Sequence, residues 1–356
     1  MKTGHRRVRT VAVTGLNAKP DNPGPGVAVA RCLREALGRD VRIVGLGYDA
    51  MDPGLYLPRY FDAAFLTPYP SNTEEALISR LADIHAKEKL RALIPCLDAE
   101  LPSLIRLGPR LTTMGIRTFL PSLDQLRLRD KDRLPELAKI AGVSCPSIRP
   151  VNHAGFFHAC HKEGWRYPMV VKGIFYDAQV VFGADEGASA FRRIAAEWGL
   201  PVLVQRFVEG EEHNLVAIGD GDGAMLGAVT MKKRAVTAKG KAWAGICTHD
   251  RALLDAASAL VSVLRWRGPL EVEMIRDRRG NYHLVEINPR FPAWIYLTHG
   301  VGRNLPAALL HLMMGKPAPS FSEPLAGTMF VRYAEETIVP LSTYESVVID
   351  GNRQNA

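Results

Sequence analysis

Between residues 10 and 122, short β-branched or apolar runs alternate with longer stretches whose apolar residues recur every three or four positions. The short runs predict strands at 11–14, 41–46, 63–66, 92–96 and 116–120, and the longer ones predict helices at 27–37, 74–87 and 100–107. Strand, helix, strand repetition implies a parallel sheet covered on both faces. Ligands bind beyond the carboxyl ends of such strands, here the loops 15–26, 45–54 and 95–100.

Past Ser122 the pattern changes. Helices are predicted at 123–129 and 130–141, the second stopped by Gly142, and this marks a boundary. A small mixed unit follows, with an extended piece at 146–151, a helix at 152–162, strands at 169–172 and 178–182, and a helix at 185–198. From Pro201 strands dominate, at 202–207, 213–218, 224–231, 270–276 and 282–288, with helices at 251–264 and 305–314. That alternation predicts an antiparallel sheet with helices to one side. The fold class is therefore α/β followed by α+β, in three units at 1–122, 123–204 and 205–356, with 351–356 a loose end.

A length of 356 residues and 47% apolar composition suit two or three domains with real cores. The net charge of +8 permits anionic partners, and phosphorylated small molecules satisfy it. The basic clusters 5–9 and 127–133 lack interleaved aromatics and read as solvated faces, so no nucleic-acid partner is expected. No apolar run approaches the roughly 20 residues of a membrane span and the first ten residues lack a secretory pattern, which predicts a cytoplasmic protein without a membrane partner. The five cysteines are odd in number and contain no C-x-x-C pair, so they are read as reduced. His153, His158 and His161 have no partner at zinc spacing. Neither G-x-S-x-G nor a Walker A pattern is present. Gly15, Gly24 and Gly26 are separated by a long proline-stiffened insert and do not make the G-x-G-x-x-G of a dinucleotide loop.

The chemistry concentrates at 270–290. Two apolar-rich strands flank a turn containing Gly280, which predicts a hairpin. A loop centred on Arg279 and Gly280 sets Glu273 directly across from Glu286, with Asn288 on the same face. Opposed carboxylates repel, and burial adds several kcal/mol per ion, unless a cation lies between them. Oxygen ligands of this kind suit Mg²⁺ or Mn²⁺ together with phosphate oxygens, and Arg290 places a fixed cation beside them. The alternative is a solvent-facing pair screened by Arg276 or Arg278. Lys172 ends the apolar run Tyr-Pro-Met-Val-Val-Lys, where it either directs a charge at phosphate or snorkels to solvent. The run 202–213 adds a strand and an acidic turn, either a nucleoside contact or a charged surface turn.

These pieces, in this order, resemble the ATP-grasp superfamily, in its carbamoyl-phosphate-synthetase-like and biotin-carboxylase-like branch. The resemblance rests on the Asp130-Lys131 helix, Y-P-x-V-x-K around Lys172, the 205–212 segment and E-x(12)-E-x-N-P-R from Glu273 to Arg290. It implies that Lys131 and Lys172 contact ATP phosphates, that Gln205, Phe207 and Val208 line an adenine pocket, and that Glu212 binds ribose. It further implies Glu273, Glu286 and Asn288 as ligands of Mg²⁺ (or Mn²⁺), Arg290 as stabiliser of the reacting acyl group, and Lys232 or Lys233, with Lys232 taken first, as another phosphate-directed cation. The usual glycine-rich flap is missing: Gly-Ile-Phe-Tyr-Asp-Ala-Gln follows Lys172, which leaves Tyr176 and Gln179 to close over phosphates. The activity implied is ATP-dependent carboxylate–amine ligation through an acyl phosphate, on a small carboxylate and an amine such as an amino acid or peptide, in a chain that forms a homodimer. The rival readings are a non-catalytic nucleotide-binding module and a dinucleotide-dependent oxidoreductase.

Overall fold

The computed structural model describes residues 9–174 and 177–353. Strands β1 (Arg9–Val13), β2 (Val41–Gly47), β3 (Ala63–Leu66) and β4 (Ala92–Ile94) lie parallel in the order β3-β2-β1-β4. Pleating sends alternate residues to opposite faces. Ala12, Val44 and Leu46 pack with the helix Glu74–Glu88, while Val11, Val13 and Ile43 pack with the helix Gly26–Leu37. The former helix starts where Thr73 Oγ1 accepts from the Ala76 amide (3.3 Å).

Two expectations fail here. The run 116–120 makes a single bridge, Arg117 to Ala92, in place of a strand. Beyond it the chain is held by residues far along the sequence, where Arg267 stacks 4.0 Å over Phe119 and donates to the Leu120 carbonyl (3.1 Å). The C-terminus is no loose end at its start: Asn352–Arg353 pairs antiparallel with β3, and the buried Arg353 donates to the carbonyls of Leu55 (3.1 Å) and Phe61 (2.6 Å). An open strand edge recruits any segment with free backbone groups within reach. Residues 354–356 lie outside the described ones.

Strands β5 (Ile148–Val151), β6 (Met169–Lys172), β7 (Ala178–Val181) and β8 (Val202–Arg206) form an antiparallel sheet in the order β5-β8-β6-β7. The helix Ala184–Trp198 covers it. The helix predicted at 152–162 is only Phe156–Ala159, continued as a tighter turn to Glu163. Strands β9 (Gly210–Asp220), β10 (Met225–Val236), β11 (Ala242–Thr248), β12 (Arg267–Asp277), β13 (Tyr282–Asn288) and β14 (Met329–Val331) form a six-stranded sheet in the order β13-β12-β9-β10-β11-β14. Strand β11 escapes a sequence reading because Ala-Trp-Ala-Gly-Ile-Cys-Thr shows no clear alternation. Its Gly245 is required by packing, since a Cβ there would stand 2.4 Å from Met231 Sδ.

The cores of the parallel sheet continue into the six-stranded one. Leu215, Ala217, Val272 and Met274 join the first cluster with the helix Arg251–Leu264, and Val216, Ile218, Val229 and Met231 join the second with Phe291 and Trp294. The four-stranded sheet instead has its own cluster, built on Phe157, Trp165, Met169, Val171, Phe191 and Ile194.

Phe157 is fully buried in that separate cluster. Phe157→Ala should cost about 3–5 kcal/mol, and hydrogen exchange should show the loss confined to 148–206, with protection of the two larger sheets retained.

Candidate active site

The hairpin β12–β13 turns through three residues: the Gly280 amide donates to the Asp277 carbonyl (3.0 Å), and the Asp277 amide to the Asn281 carbonyl (2.9 Å). Gly280 supplies the left-handed φ of +89° this turn needs. Arg276, Ile275 and Met274 pair with Tyr282, His283 and Leu284, and then a bulge leaves Val285 without a partner. Beyond it Glu273 pairs with Glu286, Val272 with Ile287 and Glu271 with Asn288. The opposition of Glu273 and Glu286 thus arises by a route the sequence reading lacked: the turn has three residues centred on Arg279 in place of a two- or four-residue loop centred on Arg279 and Gly280, which sets the pairing one position off, and the bulge restores it.

Glu271, Glu273, Glu286 and Asn288 share one face, joined by Asn214 of β9, which pairs with Glu273. Glu271 is buried and accepts from Asn214 Nδ2 (2.6 Å), Trp294 Nε1 (2.6 Å) and Asn288 Nδ2 (3.1 Å). Burial, and after it the neighbouring Glu273, raise its carboxyl above the usual range. Asn288 also donates to Glu273 Oε1 (2.8 Å). Burial works to raise Glu273, but Lys233, Lys241 and Arg290 outweigh it and hold the group at about 2, so it is ionised at neutral pH. Sequence reasoning passed over Glu271, although its position two residues before Glu273 puts it on the same face.

Four cations converge on these acids from separate stretches of chain. Lys233 Nζ, from β10, donates to Glu273 Oε2 (2.9 Å) and Glu212 Oε2 (2.6 Å). Lys131 Nζ lies 3.3 Å from Glu286 Oε1. Lys172, at the end of β6, donates to Gln205 Oε1 of β8 (2.7 Å). Burial pushes the Lys172 ammonium down to about 8, with Glu286 pulling the other way and Lys131 adding to the drop. Arg290 Nε lies 2.6 Å from Asp98 Oδ1, in the loop after β4. Burial disfavours its charge, yet Asp98, Glu271, Glu286 and Glu273 prevail and raise it.

The expectation for Lys232 is corrected. Lys232 pairs with His213 while Lys233 falls opposite Glu212, and strand alternation sends the two lysines to opposite faces. Lys232 Nζ donates to Glu211 (2.7 Å) on the far side of the sheet, and Lys233 stands in the cluster. Gln205 is buried against Lys172, whereas Phe207, 38% exposed, and Val208 lie in the link between β8 and β9. Gln179, expected over the phosphates, accepts from Arg193 of the covering helix (3.1 Å). Tyr176 lies outside the described residues. The 15–26 loop closes on itself, with the Gly24 amide on the Asn17 carbonyl (2.8 Å) and the Gly26 amide on the Gly15 carbonyl (3.0 Å), so those amides are not offered to a dinucleotide.

Whether the donors suit a divalent ion follows from their chemistry. Among the described residues no three His, Cys, Asp or Glu side chains are grouped to hold a metal ion. Mg²⁺ needs no such cage: it takes one or two carboxylates and completes its shell with water and phosphate. Glu273, opposed to Glu286 and flanked by the Asn288 amide, meets that requirement, and the lysines now pairing the two acids are cations a triphosphate would attract.

Residues 200–337 match the family described as ATP-grasp in the biosynthetic pathway with Ter operon. No curated protein sequence matches the chain. Among solved structures, the L-amino acid ligase from Bacillus licheniformis is 16% identical, with a TM-score of 0.62 over 86% of this chain and 74% of that one. The biotin carboxylase from Campylobacter jejuni, in complex with β-γ-ATP, is 16% identical, with a TM-score of 0.66 over 88% and 73%. The N5-carboxyaminoimidazole ribonucleotide synthetase from Thermotoga maritima is also 16% identical, with a TM-score of 0.62 over 89% and 79%. At such identities the likeness is one of fold.

The low Lys172 value has a signed consequence. Below pH 8 the ammonium is charged in both the folded and unfolded chain, and its burial costs stability in full. Between pH 8 and the ordinary 10.5 the folded chain releases the proton and the unfolded chain keeps it. Urea unfolding should therefore show wild type gaining on Lys172→Met by up to about 3 kcal/mol across that window; a flat difference would refute the buried charge.

Proposed function

From the ATP-grasp fold of this chain, we propose that it is an ATP-dependent carboxylate–amine ligase. A carboxylate oxygen attacks the γ-phosphorus of ATP, the bond to the β–γ bridging oxygen breaks, and ADP leaves. The amine nitrogen then attacks the acyl carbon, phosphate departs with its oxygen, and the nitrogen gives up a proton, leaving an amide or peptide bond. The observation that carries this reading is the pair Glu273 and Glu286, opposed across a ladder and flanked by lysines from three separate chain segments.

Each residue then has a task. Lys131, Lys172 and Lys233 neutralise charge on the phosphates during transfer. Glu273, Glu286 and Asn288 would hold a divalent ion, which when bound supplies further neutralisation of the phosphates. Lys131 pairs with Glu286 and Lys233 with Glu273, so the same lysines stand where they would meet phosphate oxygens beside the carboxylates that would hold the ion. Arg290 holds the reacting carboxylate and later the tetrahedral oxyanion. Gln205 near the end of β8, with Phe207 and Val208 in the link that follows, would line the adenine, where backbone groups can meet its edge, and Glu212, beside Lys233, would take the ribose. The four-stranded unit, which packs around its own core, closes over the nucleotide and keeps water from the acyl phosphate.

ADP release measured over a panel of carboxylates with amines tests the proposal. Glu286→Gln should lower turnover by at least about 100-fold with the far-UV spectrum unchanged, and undiminished turnover would sink the site. Lys233→Met should raise the KM for ATP about tenfold or more, whereas Lys232→Met, on the opposite face, should leave it within about twofold.

A further inference from the structure

The ion pair between Arg290 and Asp98 is incomplete. Asp98 Oδ1 is enclosed and sits 2.6 Å from Arg290 Nε, yet it receives no aligned hydrogen bond among the described residues, because the N–H does not point at it. A buried carboxylate oxygen without a donor carries a desolvation cost that a correctly placed donor would remove. Oδ1 itself is shielded, but the side chain as a whole keeps 20% of its surface open, so a ligand can reach the rest of the carboxylate. Arg290 is also under-used. Among the described residues its terminal nitrogens make only long hydrogen bonds, 3.3 Å to the Phe291 carbonyl and 3.4 Å to Asn288 Oδ1. A guanidinium engaged tightly through Nε alone retains an edge that matches a carboxylate.

Asp98 is held firmly in place. It opens the turn Asp98–Glu100, whose Glu100 is buried and accepts from the Cys96 amide (2.8 Å), the Leu97 amide (2.9 Å) and the hydroxyls of Thr14 and Tyr48. Those groups stand at the carboxyl ends of β1, β2 and β4, the edge where the parallel sheet presents ligands. The Arg290–Asp98 couple therefore offers a fixed cation beside a fixed anion that is still partly open, the complement of a small zwitterion.

We propose that the carboxylate substrate is an α-amino acid with a free ammonium group, its carboxylate on the open edge of Arg290 and its ammonium on Asp98. This rests on the ligase reading and adds to it the class of the acid that is activated. The ammonium pairs with the accessible part of the Asp98 carboxylate, away from the enclosed Oδ1, and it offsets the repulsion a bare anionic acid would meet from Glu271, Glu273 and Glu286. Asp98 is a specificity-determining residue: it selects which acid is activated and takes no part in the phosphoryl transfer.

The test is ADP release by the full chain with Mg-ATP, an amine acceptor and matched acids: an α-amino acid, its des-amino analogue and its N-acetyl derivative. Wild type should favour the free amino acid by at least about tenfold in kcat/KM, chiefly through KM. Asp98→Asn should erase that preference by raising the amino-acid KM about 10- to 100-fold, and Asp98→Glu should recover part of it. A thermal shift with Mg-ATP retained in Asp98→Asn shows that the variant folds. Equal use of des-amino acids by wild type, or a preference that survives Asp98→Asn, would overturn this inference and leave the ligase reading standing. No ADP release with any acid would overturn both.

Discussion

Two ionised side chains facing each other across a β ladder are tolerated in a folded protein only where cations are at hand. Glu273 and Glu286 are such a pair, and the chain meets the condition with lysines drawn from distant stretches: Lys131 before the four-stranded unit, Lys172 within it and Lys233 in the six-stranded sheet. The acids thus act as an organising centre for three parts of the molecule. Because the pairs are ionic and partly exposed, their partners can be exchanged without breaking a core, which a site that admits a polyanion requires.

The scaffold divides labour along the same lines. The parallel and six-stranded sheets share two continuous apolar clusters and form a common base. The four-stranded sheet keeps a separate cluster and meets the site through Lys172 and Gln205, near the ends of its two central strands. A unit stabilised largely by its own core can change position relative to the base at the cost of polar contacts and of the packing of Ile148 on the first cluster. Arg290 draws the loop after β4 toward the cluster through Asp98, so the N-terminal sheet reaches the acids at one ion pair.

Legibility followed the strength of the local signal. Strands 63–66, 169–172 and 282–288 and the helix 251–264 were read with their observed limits, because each is a continuous apolar or amphipathic run between clear stops. Strand β11 was not, since small residues leave no alternation to read and the strand exists because β10 and β14 flank it. At the site, the opposition of Glu273 and Glu286 was reached from a turn centred on Arg279 and Gly280 and the place of Asn288 from pleat parity, whereas Glu271 was passed over although the same parity marks it. Lys232 was placed on the wrong face because choosing between adjacent lysines requires the register of β10 against β9, which depends on an irregularity between Leu226 and Val229.

By itself the sequence determined what short-range physics controls: the order of strands and helices, the hairpin and the side chains that share one of its faces, because pleat and helical period act between near neighbours. Tertiary structure alone decided which cation meets which acid, that Gln179 turns to Arg193, that Arg353 seals the edge of β3, and that Asp98 stands at Arg290. These contacts join residues far apart in the chain. Their partners are selected by the packing of whole sheets and by a bulge at Val285, and no periodicity along the chain records that selection.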